Sequence, residues 1–231
     1  MHKEIEGVKS MKYDLVLFDL DGTLVDTLEA ITKITNCAME ELGLKQYSLS
    51  EGRYLIGNGV PGIVEKVFEM EKYDEDKISK EKMLEIIRKY YNIYFNYNVK
   101  LYDGIDKLLN FLKENNIKFG IVTNKDQDLA NETVKENFLN WNFLEVIGTD
   151  DTKHPRKPDS YGVDYFAEKY NIEKNRILFV GDMMVDVKTA QNSKVDLCYC
   201  NWGFGASKGE AGIDETIKVD TVEDIIKKIE G

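Results

Sequence analysis

The stretch Leu17-Phe18-Asp19-Leu20-Asp21-Gly22-Thr23-Leu24-Val25-Asp26-Thr27 decides how the chain is read. The apolar, β-branched run Tyr13 to Phe18 leads into it and reads as a buried strand of a parallel sheet. Where that strand runs out, two carboxylates stand two residues apart and so share a face. Acids that close repel each other unless a cation lies between them or each has its own task. Gly22 permits a sharp turn, and Thr23 offers a hydroxyl and an amide to an anion.

Three later stretches supply matching chemistry. Phe119-Gly120-Ile121-Val122-Thr123-Asn124 reads as a strand ending in a hydroxyl, and Arg156-Lys157-Pro158 is a basic spot. Ile177-Leu178-Phe179-Val180-Gly181-Asp182-Met183-Met184-Val185-Asp186 is a strand ending in two more acids. Each group stands at, or just beyond, the carboxyl end of a predicted strand, the edge where open α/β sheets bind ligands.

In this order the four stretches resemble the signature motifs of the haloacid dehalogenase superfamily: an Asp-x-Asp-Gly-Thr opening, a strand-end Thr, a Lys, and a Gly-Asp-x-x-x-Asp close. The resemblance extends from about Met11 to the C-terminus. It departs from the family at Asp159-Ser160, where Lys-Pro is commonly followed by a further Pro.

The periodicity around the motifs predicts an α/β fold, a doubly wound, Rossmann-like parallel sheet core with an inserted all-helical cap domain. Residues 1–10 read as a tail, residues 11–26 and 99–231 as the core, and residues 27–98 as the cap. Between Thr27 and Asn98 the pattern is helical: Leu28 to Leu42, then Ser50 to Ile56, then a helix after Pro61, then about Lys80 to Tyr97. A βαβ crossover needs only about a dozen residues, so this one carries a domain. In the core, helices are predicted over Asp103 to Asn115, Asp126 to Phe138, Asp159 to Tyr170, Val185 to Ser193 and Thr221 to Ile229. Strands are predicted over Lys118 to Thr123, Phe143 to Ile147, Arg176 to Val180, Asp196 to Tyr199 and Thr216 to Val219.

Composition narrows the partners. The chain has 231 residues, 42% of them hydrophobic, with a net charge of -11. That charge argues against nucleic acid, which asks for a clustered basic face. No apolar run approaches the ~18 residues of a membrane span, and the first dozen residues lack the apolar segment of a signal peptide. Cys37, Cys198 and Cys200 are odd in number and lack zinc-type spacing, so they are expected to be plain thiols of a cytoplasmic protein. His154 is expected on a surface loop.

Phosphoryl transfer asks a protein for positioning and charge stabilisation. Asp19 is the expected nucleophile and Asp21 the general acid and base, an assignment the resemblance also implies. Mg²⁺ is the expected cofactor, held by Asp19, Asp182 and the backbone carbonyl of Asp21. Asp186, one turn beyond Asp182, would bind a metal water or orient Lys157. Thr123 with the amide of Asn124, and Thr23, would hold phosphate oxygens, while Lys157 would neutralise charge and hold Asp19.

Asp21 separates the reaction classes within the resemblance, because dehalogenases and phosphonate hydrolases lack a carboxyl there. The cap segment Arg53-Tyr54-Leu55-Ile56-Gly57-Asn58-Gly59 looks like that of phosphoglycolate phosphatases and the related pyrophosphatase and nucleotidase branches. It makes Arg53, Gly57 and Asn58 candidate substrate contacts, with Arg53 suited to clamp a carboxylate or second phosphate. The expectation is a Mg²⁺-dependent phosphatase of a small phosphorylated metabolite, monomeric or homodimeric. Sugar-phosphate mutases of the same superfamily also keep both acids, and a non-catalytic phosphate binder is the reading from another class.

Overall fold

The computed structural model describes residues 11–150 and 152–231; the expected tail, residues 1–10, lies outside the described residues. Strand β1 (Leu15–Phe18) is buried throughout. Its pleat sends Val16 and Phe18 into one apolar cluster and Leu15 and Leu17 into another, so the strand is covered on both faces. The chain then turns into β2 (Val25–Asp26), which pairs antiparallel with β3 (Lys100–Leu101) in a two-residue ribbon. This ribbon, which the hydrophobic pattern did not announce, brackets everything between the two strands.

Strands β4 (Lys118–Asp126), β5 (Val146–Thr149), β6 (Ile177–Gly181), β7 (Asp196–Cys200) and β8 (Lys218–Val219) complete a sheet of order β5-β4-β1-β6-β7-β8. Every pairing in it is parallel. On the Val16 face lie α5 (Ile105–Glu114) and α10 (Val222–Glu230), through Leu108, Leu109, Leu112, Ile225 and Ile229. On the Leu17 face lie α7 (Tyr161–Tyr170) and α8 (Met184–Ser193), through Val163, Phe166, Val187 and Ala190. Each fully buried leucine of α5 is worth about 1.5–3 kcal/mol over leaving it in water. The doubly wound α/β core is therefore present as the alternation of strands and helices predicts.

Between β2 and β3 the chain is helical: α1 (Leu28–Glu41), α2 (Leu49–Gly52), α3 (Gly59–Glu71) and α4 (Lys80–Tyr94). Ile34, Ala38, Val64, Val67, Met83 and Ile87 build a core of their own. Ser48 begins α2 in a capping box with Glu51, and the Ser79 hydroxyl accepts the Lys82 amide at the start of α4. Pro61 sits inside the first turn of α3 rather than ahead of it, where its missing N–H costs nothing. Phe204, from the short helix α9 (Phe204–Ser207), packs into this helical cluster from the α/β side.

Strand boundaries differ from expectation at β8, β5 and β4: β8 begins at Lys218 instead of Thr216, because a 3₁₀ turn takes Glu215–Ile217. β5 begins at Val146 instead of Phe143, because Phe143 turns edge-on against Phe119 and Phe138, with ring centroids 5.1 and 5.3 Å away. β4 runs past Thr123 to Asp126, where α6 (Gln127–Asn137) begins, with its register broken between Val122 and Asp126. Such a bulge re-aims side chains, and here it buries Thr123, Asn124 and Lys125 together.

Candidate active site

The middle strands β4, β1 and β6 end side by side, and chain order reverses across β1, the switch point where such sheets form a crevice. Asp19 follows β1 directly, its amide donating to the carbonyl of Val180 on β6 at 2.9 Å. Its carboxylate receives the Leu20 amide at 2.7 Å and the Lys157 ammonium at 2.9 Å, both on Oδ1. Oδ2 has no hydrogen-bond partner among the described residues.

Lys157 is the hub of the charge arrangement. Its Nζ lies 2.6 Å from Asp186 Oδ1 as well as 2.9 Å from Asp19, and its side chain is almost fully buried. Burial by itself would drive this ammonium toward neutrality, but the Asp186 and Asp19 carboxylates reverse that and raise its pKa. The loop that carries it is clamped by Asn124, whose side-chain amide donates to the Lys157 carbonyl and whose Oδ1 accepts the Lys157 amide at 2.9 Å.

Asp182 and Asp186 follow β6 and are wholly buried. Asp182 accepts the Thr23 hydroxyl at 2.8 Å on Oδ1 and the Phe204 amide at 2.7 Å on Oδ2. Its pKa is pushed well up, by burial first and then by Asp186 and Asp19. Asp186 spends Oδ2 on the amides of Asp182 and Met183 at the start of α8 and Oδ1 on Lys157. Burial raises its pKa, Lys157 pulls it back, and Asp19 adds to the rise.

Asp19, Asp182 and Asp186 bring ligand atoms within 4.8 Å of one another. Three buried carboxylates against one lysine leave negative charge that a hard cation would compensate, and oxygen donors suit Mg²⁺. Each of the three offers an oxygen toward it, and Asp186 in addition carries Lys157 on one oxygen and two amides on the other. The backbone is shaped around Asp182. At Gly22, with φ of 92°, a Cβ would lie 2.4 Å from Asp182 Oδ2, and at Gly203 it would lie 2.2 Å from Asp182 Cβ.

Asp21 lies across from this group and faces a residue that sequence reasoning missed. Lys125 Nζ is 3.0 and 3.1 Å from the two Asp21 oxygens and 3.4 Å from the hydroxyl of Tyr91, on α4. Read as the loop after a strand ending at Thr123, Lys125 has no signal; the register break in β4 turns it inward. Its pKa too is raised, burial opposing and Asp21 and Tyr91 prevailing.

A cleft between cap and sheet is lined by Asp19, Asp21, Thr123, Asn124 and Lys125 below and by Ile31, Ile56, Gly57, Val60, Ile63 and Tyr91 above. Its volume is ≈ 30 Å³. The expected contacts distribute unevenly around it. Thr123, Asn124 and Gly57 line the cleft. Thr23 does not, since its hydroxyl is spent on Asp182, and Arg53 does not line it either, its buried Nε having no hydrogen-bond partner among the described residues. Asn58 borders the neighbouring cleft of Lys208 and Glu210. His154 stacks on Tyr161 outside the site, and the three cysteines are free thiols. No helix among the described residues is long and apolar enough to cross a membrane.

Comparison with known proteins places this geometry. The family model for haloacid dehalogenase-like hydrolases matches residues 16–200. The phosphoglycolate phosphatase of Pseudomonas syringae pv. tomato is 26% identical over 214 residues, covering 92% of this chain and 78% of that protein. A predicted phosphatase from Clostridium acetobutylicum has a crystal structure similar to this one with a TM-score of 0.78, 26% identity, and coverage of 94% and 98% of the two chains. A predicted phosphoglycolate phosphatase from Haemophilus somnus shares the fold with a TM-score of 0.81 at 23% identity, covering 94% and 97%.

Proposed function

The chain belongs to the haloacid dehalogenase-like hydrolase family, and from that premise we propose that it is a Mg²⁺-dependent phosphatase of a small phosphorylated metabolite, working through an aspartyl-phosphate on Asp19. The observation that carries this reading is the nucleophile's setting: Asp19 is held through Oδ1 by Lys157 and the Leu20 amide, which leaves Oδ2 to attack. The relatives named phosphoglycolate phosphatase support the substrate class.

In the first half-reaction Asp19 Oδ2 forms a bond to phosphorus as the ester P–O bond breaks, and the departing alkoxide takes a proton from Asp21. In the second, Asp21 takes a proton from a water that attacks the acyl phosphate, releasing inorganic phosphate and restoring Asp19. The Thr123 hydroxyl and the Asn124 amide border the same cleft and hold the phosphoryl oxygens. Asp19, Asp182 and the Asp21 carbonyl would hold Mg²⁺, which would supply the charge that lets a carboxylate approach a dianion. Asp186 keeps Lys157 in place. The cap, with its apolar lining, excludes water when closed.

The test is phosphate release from a panel of phosphoglycolate, sugar phosphates, nucleotides, pyrophosphate and an aryl phosphate, with Asp19→Asn as control. Release that requires both Mg²⁺ and Asp19 is expected. A folded protein silent on the whole panel would move the reading to a mutase or a binder.

A further inference from the structure

We propose that Lys125 is the specificity-determining residue of this site, receiving a carboxylate carried one or two bonds from the ester oxygen of the substrate. The inference rests on the phosphatase reading and adds to it the chemical class of the leaving group.

Lys157 stands behind Asp19 and does not line the cleft; among the described lining residues Lys125 is the only cation. The rest of the wall, Ile31, Ile56, Val60 and Ile63 from the cap and Leu129 and Met183 from the α/β core, is apolar, and the other charged lining residues are acids, so it offers an anionic leaving group no second cation. The lysine side chain is 2% exposed, so its position is set by packing rather than by solvent.

An ammonium has three N–H donors. Two are taken by the Asp21 oxygens at 3.0 and 3.1 Å, while the third has only the Tyr91 hydroxyl at 3.4 Å, beyond a good hydrogen bond. That donor is the under-used polar group of the cleft.

Geometry then limits what reaches it. A leaving oxygen that accepts a proton from Asp21 must come within about 2.8 Å of one of its oxygens. Asp21 is itself 3.0 Å from Nζ, so the leaving oxygen lies at most about 6 Å from Nζ. A carboxylate on the adjoining carbon, extending toward the lysine, closes that gap. A neutral alkyl group in the same place leaves the third donor without the anion it could bind, which is how a polar site rejects an analogue lacking the polar group. Tyr91 comes from the cap, so closure brings the second wall of this subsite against Lys125.

Phosphoglycolate and ethyl phosphate form a matched pair, with a carboxylate replaced by a methyl group. Wild type is expected to favour the first by about 10- to 100-fold in kcat/KM, the rate equivalent of one charge-assisted hydrogen bond. Lys125→Met is expected to shrink that ratio to about 3-fold or less, and Lys125→Arg to retain most of it, while both lower turnover on either ester by disturbing Asp21. Equal losses that leave the ratio intact would overturn the assignment and leave Lys125 as a prop for Asp21 alone. If the methionine variant does not fold, the wild-type ratio still decides: no preference within the pair overturns the proposal. Wild type inactive on every phosphoester would instead bring down the phosphatase reading, and this proposal with it.

Discussion

Replacing Lys157 by Met exposes what holds the acidic cluster together. The lysine contacts Asp186 at 2.6 Å and Asp19 at 2.9 Å, with Asp182 buried beside them. Methionine fills similar volume but brings no charge, so the carboxylates lose the cation that offsets their burial. Removing one partner of a buried ion pair costs about 3–5 kcal/mol. For a chain of this size that lowers Tm by roughly 6–20 °C. The assay is thermal unfolding of wild type and Lys157→Met, each with a chelator and with saturating Mg²⁺. In chelator the variant should melt lower by that amount. Mg²⁺ should raise its Tm more than it raises that of wild type, because the ion then supplies the only positive charge in the cluster. A variant as stable as wild type in chelator, with the same gain from Mg²⁺, would refute the claim that Lys157 neutralises these acids.

Gly22→Ala places a methyl group 2.4 Å from Asp182 Oδ2 on a residue with φ of 92°; Mg²⁺ titration of activity should show affinity weakened by about 10- to 100-fold, and unchanged affinity would show that Asp182 is not held by this turn. Asp21→Asn should slow alkyl phosphates by about 10²–10⁴-fold and aryl phosphates far less, since an aryloxide leaves without a proton; equal losses measured on the two ester types would count against the acid role. Lys208 donates to the Ile56 carbonyl of the cap at 2.6 Å, and burial lowers its pKa to about 8. Between about pH 8 and 10.5 the unfolded chain therefore holds a proton there that the folded chain lacks, and stability from this group rises with pH across that window. Urea unfolding at pH 8 and pH 10.5 should find the stability of wild type relative to Lys208→Met growing by up to about 3 kcal/mol; a constant difference would remove Lys208 from the account.

What the sequence disclosed and what it hid have physical reasons. β1 and β6 were legible because parallel strands buried on both faces read as unbroken apolar runs, and the acids that follow them can only lie at the sheet edge. The helices α1, α3 and α4 were legible from their apolar stripes. The β2–β3 ribbon was not, because two-residue strands carry no periodicity. Phe143 suggested a strand where it instead joins an aromatic cluster with Phe119 and Phe138. Lys125 was hidden for a related reason: a lysine beyond the expected end of a strand reads as solvated, and only the register break in β4 buries it against Asp21. Arg53 is the opposite case: a guanidinium near glycines suggests an anion clamp, and in this structure it lies off the cleft wall. Motif residues on the sheet edge are fixed by the fold, whereas cap contacts depend on how two packed bodies meet, which local pattern does not encode.

The central claim is that Asp19 carries the phosphoryl group between the two half-reactions. Acid quenching during turnover of phosphoglycolate with Mg²⁺, followed by peptide mass analysis under acidic conditions, reads this directly. The account predicts one phosphoryl group on the peptide containing Asp19, labile to hydroxylamine as an acyl phosphate is, and absent from Asp19→Asn. Phosphate release at full rate with no label on that peptide, or label on a different residue, would contradict it.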